Sequence, residues 1–296
     1  MTWLQLRLDT EPRQLAELEA CLLAAGASAV TLEDNADQAL LEPGPGETPL
    51  WNQTRLTGLF AADTDMANVL ASLPTALREA CSARVEILED KDWEREWIRH
   101  YRPMRFGQRL WVCPSWLAPP EPDAVNLLLD PGLAFGTGTH PTTALCLTQL
   151  DGLRLADAQA VDFGCGSGIL ALAALKLGAR RVLAVDNDPQ ALTASRENAR
   201  RNGIDTTRLE VALPSAVDTE LWSGRAQVVV ANILAGPLAE LAETLVALLA
   251  PGGTLLLSGL LESQAAELRA RYAGHLDLQV ADTREGWVCL RGKRAS

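Results

Sequence analysis

The sequence predicts two domains: a small α+β domain at the N-terminus, followed by an α/β domain built on a mostly parallel sheet. Its 296 residues are more than a single domain usually needs. Strand and helix patterns alternate from about Ala124 onward, and this alternation indicates a parallel sheet. Charge also changes along the chain: residues 1–90 carry fifteen acidic and five basic side chains, within a total net charge of −12.

The first domain is predicted to follow the order β-α-β-β-α-β, which is the ferredoxin-like arrangement. Leu4, Leu6 and Leu8 alternate as in a half-buried strand, and a helix pattern then runs from Glu11 to Gly26. The remaining expected elements are strands at Ala29–Leu32 and Arg55–Ala61, a loop at Pro43–Pro49, a helix from Asp65 to Cys81 that contains Pro74, and a strand at Arg84–Glu89.

Residues 91–122 are expected to connect the two domains. Trp93, Trp97 and Tyr101 recur near the helical period, so a helix is predicted over 91–102, ending before Pro103. The next twenty residues contain five prolines and two tryptophans, a composition typical of a linker. The predicted boundaries are therefore 1–90, 91–122 and 123–296.

The larger domain has four clear strand patterns joined by helices. The strands are predicted at Gln159–Phe163, Arg181–Asp186, Gln227–Ala231 and Gly253–Ser258, and the helices at Ile169–Leu177, Pro189–Asn202 and Pro237–Leu249. An antiparallel hairpin, Leu276–Val280 with Trp287–Arg291, is expected at the sheet edge. In such a sheet the ligand crevice lies at the carboxyl ends of the strands.

Composition disfavours several classes of protein. Six widely spaced cysteines without a CxxC pair, and only three histidines, argue against a zinc framework and against disulfides. No apolar stretch matches a membrane span of ~20 residues, and the N-terminus lacks the pattern of a secretory signal. We therefore expect a soluble cytoplasmic protein without a metal. The acidic first third disfavours nucleic acid; it either attracts a basic protein or only aids solubility.

A glycine-rich loop, Gly164–Gly168, lies between a predicted strand and a predicted helix. Glycines there let the backbone approach a ligand, although a structural turn would have the same composition. The GxGxG spacing fits a dinucleotide poorly, because Ile169 and Leu170 stand where that fingerprint would continue. Asp162, two residues before the loop, suits a ligand with a positive group, such as the amino-acid end of S-adenosylmethionine.

Asp186 ends the next predicted strand, 22 residues after Gly164. A carboxylate about twenty residues after the glycine loop can accept hydrogen bonds from the ribose hydroxyls of an adenosine. The alternative is an acid in a surface turn. Asp188 is expected to cap the helix that opens at Pro189.

Asn232 ends a strongly apolar strand and is therefore expected in the crevice. Its amide oxygen could accept a hydrogen bond from a substrate amine and orient the lone pair of the nitrogen. The alternative is an N-cap for the helix near Pro237.

The segment 130–143 precedes the first strand of the sheet and contains three glycines and two prolines. Thr142 and Thr143 are predicted either to cap a helix or to bind a ligand. His140 is a candidate general base, although a histidine beside a proline is more often structural. Cys165 has no adjacent base and is interpreted as a small filler of the glycine loop.

These motifs resemble those of the bacterial ribosomal protein L-eleven (L11) methyltransferase family, over essentially the whole chain. The resemblance rests on DPGLAFGTGTHPTT, DFGCGSGILALAALKLGA, VDNDPQAL and VVANILAGPL. It implies a Rossmann-like class I methyltransferase domain, with a seven-stranded, mostly parallel sheet and an antiparallel C-terminal hairpin, preceded by a smaller ferredoxin-like domain.

The resemblance also implies an enzyme that methylates lysine ε-amines and the N-terminal α-amine of a large-subunit ribosomal protein, L11, in several rounds. The cofactor would be S-adenosyl-L-methionine, held by Thr143, Gly164, Asp186 and Asn232, with Asn232 also the catalytic residue. The partner would be L11, free or on the ribosome. We expect a monomer that contacts neither a membrane nor nucleic acid directly.

Three other functions stay open. A nucleic-acid methyltransferase would share the glycine loop and Asp186, but its usual Asn-Pro-Pro-aromatic turn is replaced here by Asn-Ile-Leu-Ala. A nicotinamide-dependent oxidoreductase is disfavoured by the glycine spacing. A non-catalytic module would bind the cofactor without turnover. Methyl transfer itself requires an oriented neutral amine rather than a triad or a metal, and the sequence identifies no dedicated base.

Overall fold

The structure is a computed structural model, and it is described for residues 2–36, 50–88, 101–130, 136 and 138–296. The chain divides into two compact units, Met1–His100 and Tyr101–Ser296. Each unit has its own hydrophobic core. The expected loop at 43–49 and residues 91–100 of the helix expected over 91–102 lie outside the described residues, so those two predictions stay untested.

The smaller unit has the predicted β-α-β-β-α-β order, with its second helix in two pieces. Its elements are β1 (Trp3–Thr10), a 3-10 turn (Pro12–Gln14), α1 (Leu15–Ala24), β2 (Ala29–Asp34), β3 (Thr54–Ala61), α2 (Met66–Ser72), α3 (Thr75–Ala80) and β4 (Ser82–Leu88). The sheet order is β2-β3-β1-β4, with every pair antiparallel. Leu6 and Leu8 of β1 are fully buried, as their alternation predicts.

The second helix of the smaller unit is interrupted where one continuous helix was predicted. Asp65 caps α2, because its Oδ1 accepts hydrogen bonds from the backbone N–H groups of Ala67 and Asn68. Leu73 then turns to an extended conformation. The residue before a proline disfavours the helical conformation, so Pro74 ends α2 and begins α3. The proline is a break between two helices.

The larger unit contains a seven-stranded sheet in the order β10-β9-β8-β11-β12-β14-β13. Its helices and strands are β5 (Met104–Phe106), β6 (Leu110–Cys113), β7 (Val125–Leu128), α4 (Pro141–Asp151), β8 (Gln159–Phe163), α5 (Ile169–Lys176), β9 (Arg181–Val185), α6 (Pro189–Arg201), β10 (Leu209–Ala212), α7 (Thr219–Trp222), β11 (Ala226–Asn232), α8 (Ala235–Glu240), α9 (Ala242–Leu248), β12 (Leu249–Leu261), α10 (Ala265–Tyr272), β13 (Leu278–Arg284) and β14 (Trp287–Lys293).

This sheet confirms the predicted fold class. Strands β8 to β12 pair in parallel, whereas β14 runs antiparallel to both β12 and β13. Buried side chains cover both faces, with Leu147 and Leu172 in one cluster and Leu245 and Leu268 in the other. The order places β9, β8 and β11 side by side, so that their carboxyl ends lie at one edge.

Part of the expected connector belongs to the larger unit. Strands β5 and β6 fall within residues 91–122, and they form a three-stranded sheet with β7. These strands are only three or four residues long and lie among prolines, which hides their pattern in the sequence. Leu110 and Val112 are nevertheless fully buried. The region around β5 and β6 is therefore a structured part of the larger unit, where we expected a linker.

Other differences in the larger unit concern short elements. The predicted helix Pro237–Leu249 is two helices, α8 and α9, that meet at Leu241. The sequence patterns did not indicate the short strand β10 or the helices α7 and α10. Within the described residues, no helix is long and apolar enough to cross a membrane.

Candidate active site

A cleft of about 610 Å³ lies at the carboxyl ends of the parallel strands. Gly164 follows β8, Asp186 follows β9 and Asn232 ends β11, and all three line this cleft. The structure therefore brings three of the four expected cofactor-binding residues together. The fourth, Thr143, is fully buried on α4, behind the residues that line the cleft.

The glycine loop contributes backbone alone to the cleft. Gly164, Gly166 and Gly168 all have positive φ, at 81°, 53° and 80°. A Cβ atom at Gly164 would lie 2.1 Å from Cγ2 of Ile233, which no real pair of atoms tolerates. A larger residue at Gly164 would thus suffer both backbone strain and a collision.

Asp186 joins the glycine loop to the end of β9. Its Oδ2 accepts a hydrogen bond from the backbone N–H of Gly166 at 2.8 Å, and its Oδ1 accepts one from the backbone N–H of Asp188 at 3.0 Å. A carboxylate offers about four lone-pair positions, so two acceptor positions stay available to hydroxyl groups in the cleft. Asp188 caps α6 as predicted, by accepting a hydrogen bond from the backbone N–H of Gln190.

Asn232 presents an acceptor without a partner. Its Nδ2 donates a hydrogen bond to Oγ1 of Thr143 at 3.2 Å, and this bond fixes the orientation of the amide. Its Oδ1 is buried and accepts no hydrogen bond from the residues that the structure describes. The alternative role as an N-cap is excluded, because Leu234 occupies the N-cap position of α8. A buried acceptor without a donor is costly.

His140 has a structural role at the start of α4. Its Nδ1 accepts a hydrogen bond from the backbone N–H of Thr142 and lies 2.7 Å from the Thr142 hydroxyl, so the ring caps the helix. Burial lowers the pKa of His140, while the nearby Glu285 raises it. The ring also packs edge-on against Trp287, with ring centroids 4.9 Å apart.

Asp162 lies beneath the glycine loop, outside the lining of the cleft. It is 1% exposed, and its Oδ2 accepts a hydrogen bond from the backbone N–H of Ala171. Its Oδ1 has no partner among the described residues. Burial, together with the charge of Asp186, raises the pKa of Asp162 to about 7. Asp162 therefore ties the strand that precedes the glycine loop to α5.

Cys165 is buried, and its Sγ lies 3.5 Å from Oγ of Ser195. Burial raises the pKa of the Cys165 thiol, and the charge of Asp162 raises it further. Because only a thiolate is a strong nucleophile, Cys165 fills the loop as predicted. Across the described segments, no group of three or more His, Cys, Asp or Glu residues is arranged to hold a metal ion.

The apolar wall of the cleft is the part that the sequence did not indicate. Phe163, Ile233, Leu234 and Trp287 line it. Leu234 is 54% exposed. The run Asn-Ile-Leu was the available signal for Ile233 and Leu234. Trp287 comes from the C-terminal hairpin and gave no local signal.

Comparisons with known proteins agree with this geometry. A sequence model of the family "Ribosomal protein L11 methyltransferase (PrmA)" matches residues 2–295. Proteins named ribosomal protein L11 methyltransferase are 56% identical in Pseudomonas aeruginosa, over 295 residues that cover 99% of both chains, and 54% identical in Serratia proteamaculans, covering 99% of this chain and 100% of that one.

This chain is also similar to a solved structure, at lower sequence identity. The ribosomal protein L11 methylase of Lactobacillus delbrueckii subsp. bulgaricus is 33% identical, with a TM-score of 0.59, and the match covers 66% of this chain and 100% of that one. The family match spans nearly the whole chain and includes every strand that carries a residue of the cleft. The chain therefore belongs to the ribosomal protein L11 methyltransferase family.

Proposed function

We propose that this enzyme methylates lysine ε-amines and the N-terminal α-amine of ribosomal protein L11, adding methyl groups in several rounds. One observation carries the proposal: the buried Oδ1 of Asn232 faces no donor in the described residues, and it belongs to a residue that lines the cleft. A neutral amine offers the N–H donor that this oxygen lacks. The names of the relatives at 52–56% identity support L11 as the protein that carries the amine.

The cofactor is S-adenosylmethionine, which when bound supplies a methyl group on a positively charged sulfur, already activated toward an amine. The residues of the cleft fit this molecule. Asp186 has acceptor positions for ribose hydroxyls, and Gly164 and Gly166 present only backbone to the cleft. Asn232 and Gly164 end neighbouring strands, so an amine held by Asn232 would lie beside the glycine loop.

The residues of this chain orient the amine rather than react with it. Oδ1 of Asn232 would accept a hydrogen bond from the amine N–H and so direct the nitrogen lone pair. Thr143 keeps the amide in this orientation through its hydroxyl oxygen. Thr143 thus acts through Asn232 as a positioning residue.

The amine must be neutral to react, and free lysine has a pKa of about 10.4. The apolar wall of Phe163, Ile233, Leu234 and Trp287 lowers that pKa, because desolvation disfavours the charged form. Of the described side chains that line the cleft, His140 and Asp186 are the candidates for a general base. Both already accept hydrogen bonds within the protein, so we assign neither as a dedicated base.

The proposal extends to the setting of the reaction. The enzyme would act in the cytoplasm as a monomer, on L11 that is free or part of the ribosome. The smaller unit would recognise the substrate, since residues 1–90 carry fifteen acidic and five basic side chains and would attract a basic protein.

Incubation with purified ribosomal proteins and methyl-labelled S-adenosylmethionine tests the proposal. Mass spectrometry should find added methyl groups on L11 alone, at lysines and at the N-terminal amine. Label on a different ribosomal protein, or on ribosomal RNA, would contradict it. The variant Asn232→Ala serves as the control, because it should bind the cofactor yet transfer little label.

A further inference from the structure

A second groove, of about 480 Å³, lies at the amino ends of the parallel strands. Arg154, Arg180 and Arg225 line it, each from the loop that leads into β8, β9 or β11. Since these three strands are neighbours in the sheet, their preceding loops meet at one edge. This edge is opposite to the one that forms the cleft.

The three arginines are exposed and have no ionic partner. Within the described part of the chain, no carboxylate or carbonyl oxygen pairs with the guanidinium group of Arg154, Arg180 or Arg225. Elsewhere in the same unit, by contrast, Arg181 pairs with Glu210 at 2.7 Å, and Arg208 binds backbone carbonyls.

The groove concentrates positive charge on an acidic protein. Asp157 supplies the one carboxylate among its described lining residues, so three positive charges face one negative charge. The net charge of −12 arises mainly from residues 1–90, which belong to the other unit.

We propose that this groove binds the phosphate groups of an RNA strand. One guanidinium group can donate two parallel hydrogen bonds to the oxygens of a phosphate. The three guanidinium groups stay close together because their loops belong to one sheet. Between the arginines the lining has small residues, Gly224 and Ala250, and the polar Gln159. Such an open surface suits a continuous backbone better than a small molecule that needs enclosure. The proposal goes beyond methyl transfer, and it revises the expectation that the protein makes no direct contact with nucleic acid.

Binding of a fluorescently labelled twelve-nucleotide RNA to the full chain, measured by anisotropy without cofactor, tests this proposal. Three neutralised phosphates predict a slope of about −2 for log K against log salt, hence about twentyfold weaker binding at 200 mM than at 50 mM salt. The triple variant Arg154→Gln, Arg180→Gln, Arg225→Gln should bind at least about tenfold more weakly at 50 mM and lose most of this slope. Arg200→Gln, an exposed arginine at the end of α6, is the matched control and should bind like the wild type.

A gain of affinity separates binding from folding defects. Asp157→Asn removes the opposing charge, and asparagine tolerates the positive φ of 60° at this position. This variant should bind RNA about threefold more tightly, a result that misfolding cannot produce. Unchanged RNA binding in the triple variant would overturn the proposal. So would full competition by submillimolar pyrophosphate, which would indicate a site for small oxyanions.

Discussion

At the scale of single residues, the contact between Asn232 and Thr143 governs the proposed turnover. Asn232→Ala removes the acceptor for the amine, so kcat should fall about a hundredfold while the Kd for S-adenosylmethionine changes little. Thr143→Val keeps the shape but frees the amide, and should lower kcat about tenfold. Steady-state kinetics and calorimetry measure the two effects.

Thr148→Val is the matched control for that experiment. Thr148 lies on the same helix as Thr143, and its hydroxyl donates to the backbone carbonyl of Ala144 rather than to the site. Its kcat should stay near the wild-type value. If Asn232→Ala raised only the KM for the cofactor, Asn232 would be a binding residue without a role in orienting the amine.

Asp186 is expected to carry much of the affinity for the cofactor. Hydrogen bonds to a charged group contribute about 1.5–3 kcal/mol each, so Asp186→Ala should weaken binding of S-adenosylmethionine at least about tenfold. Asp188→Ala removes only the helix cap and should cost about 1 kcal/mol of stability without weakening cofactor binding. Equal affinity of Asp186→Ala and wild type in calorimetry would refute the assignment of Asp186.

Asp162 makes stability depend on pH. Burial raises its pKa from 3.8 to about 7, so the folded protein keeps a proton that the unfolded chain releases. As the pH rises from about 4 to about 7, the free energy of unfolding of the wild type should therefore fall by about 1.4 kcal/mol per pH unit relative to that of Asp162→Asn. Above pH 7 the difference should level off. Urea denaturation of both proteins across this range checks the sign, and parallel curves would show that Asp162 stays ionised when folded.

At the scale of secondary-structure elements, the close approach of β8 and β11 depends on Gly164. Gly164→Ala should be strongly destabilising, because the new Cβ meets Ile233 and the backbone has φ of 81°. Gly203 also has a positive φ, but its surroundings are open, so Gly203→Ala should lower the free energy of unfolding by only about 1–2 kcal/mol. The double variant Gly164→Ala, Ile233→Ala should recover part of the loss in thermal denaturation, and no recovery would mean that backbone strain dominates.

The elements with a strong local pattern were predictable, and so was the edge where the site forms. Gly164 and Asp186 each follow an apolar strand and Asn232 ends one, and parallel strands bring their carboxyl ends together. The contact of Asn232 with Thr143 joins residues 89 positions apart, so no local pattern reveals it. Short strands such as β5 and β10 gave no signal because three or four residues hardly establish a period.

At the scale of the whole molecule, the two units have separate cores. The core of the smaller unit uses residues up to Leu77, whereas those of the larger unit begin at Phe106. Deleting residues 1–100 should therefore leave the Kd for S-adenosylmethionine nearly unchanged while methylation of intact L11 collapses. Wild-type methylation should also weaken as salt rises, because exposed charges are screened. A truncated enzyme with wild-type rates at the same amines would leave the acidic unit only a role in solubility.

The strand order β9-β8-β11 sets the distance between the carboxyl ends of β9 and β11. Neighbouring strands lie about 4.8 Å apart, so the ends of β9 and β11 are separated by about 10 Å. Asp186 and Asn232 mark the two ends of that interval, and backbone hydrogen bonds rather than side-chain packing hold its length. Substitutions in the apolar wall should therefore change which amines are accepted without altering the span between the proposed anchor for the donor and the proposed acceptor for the amine.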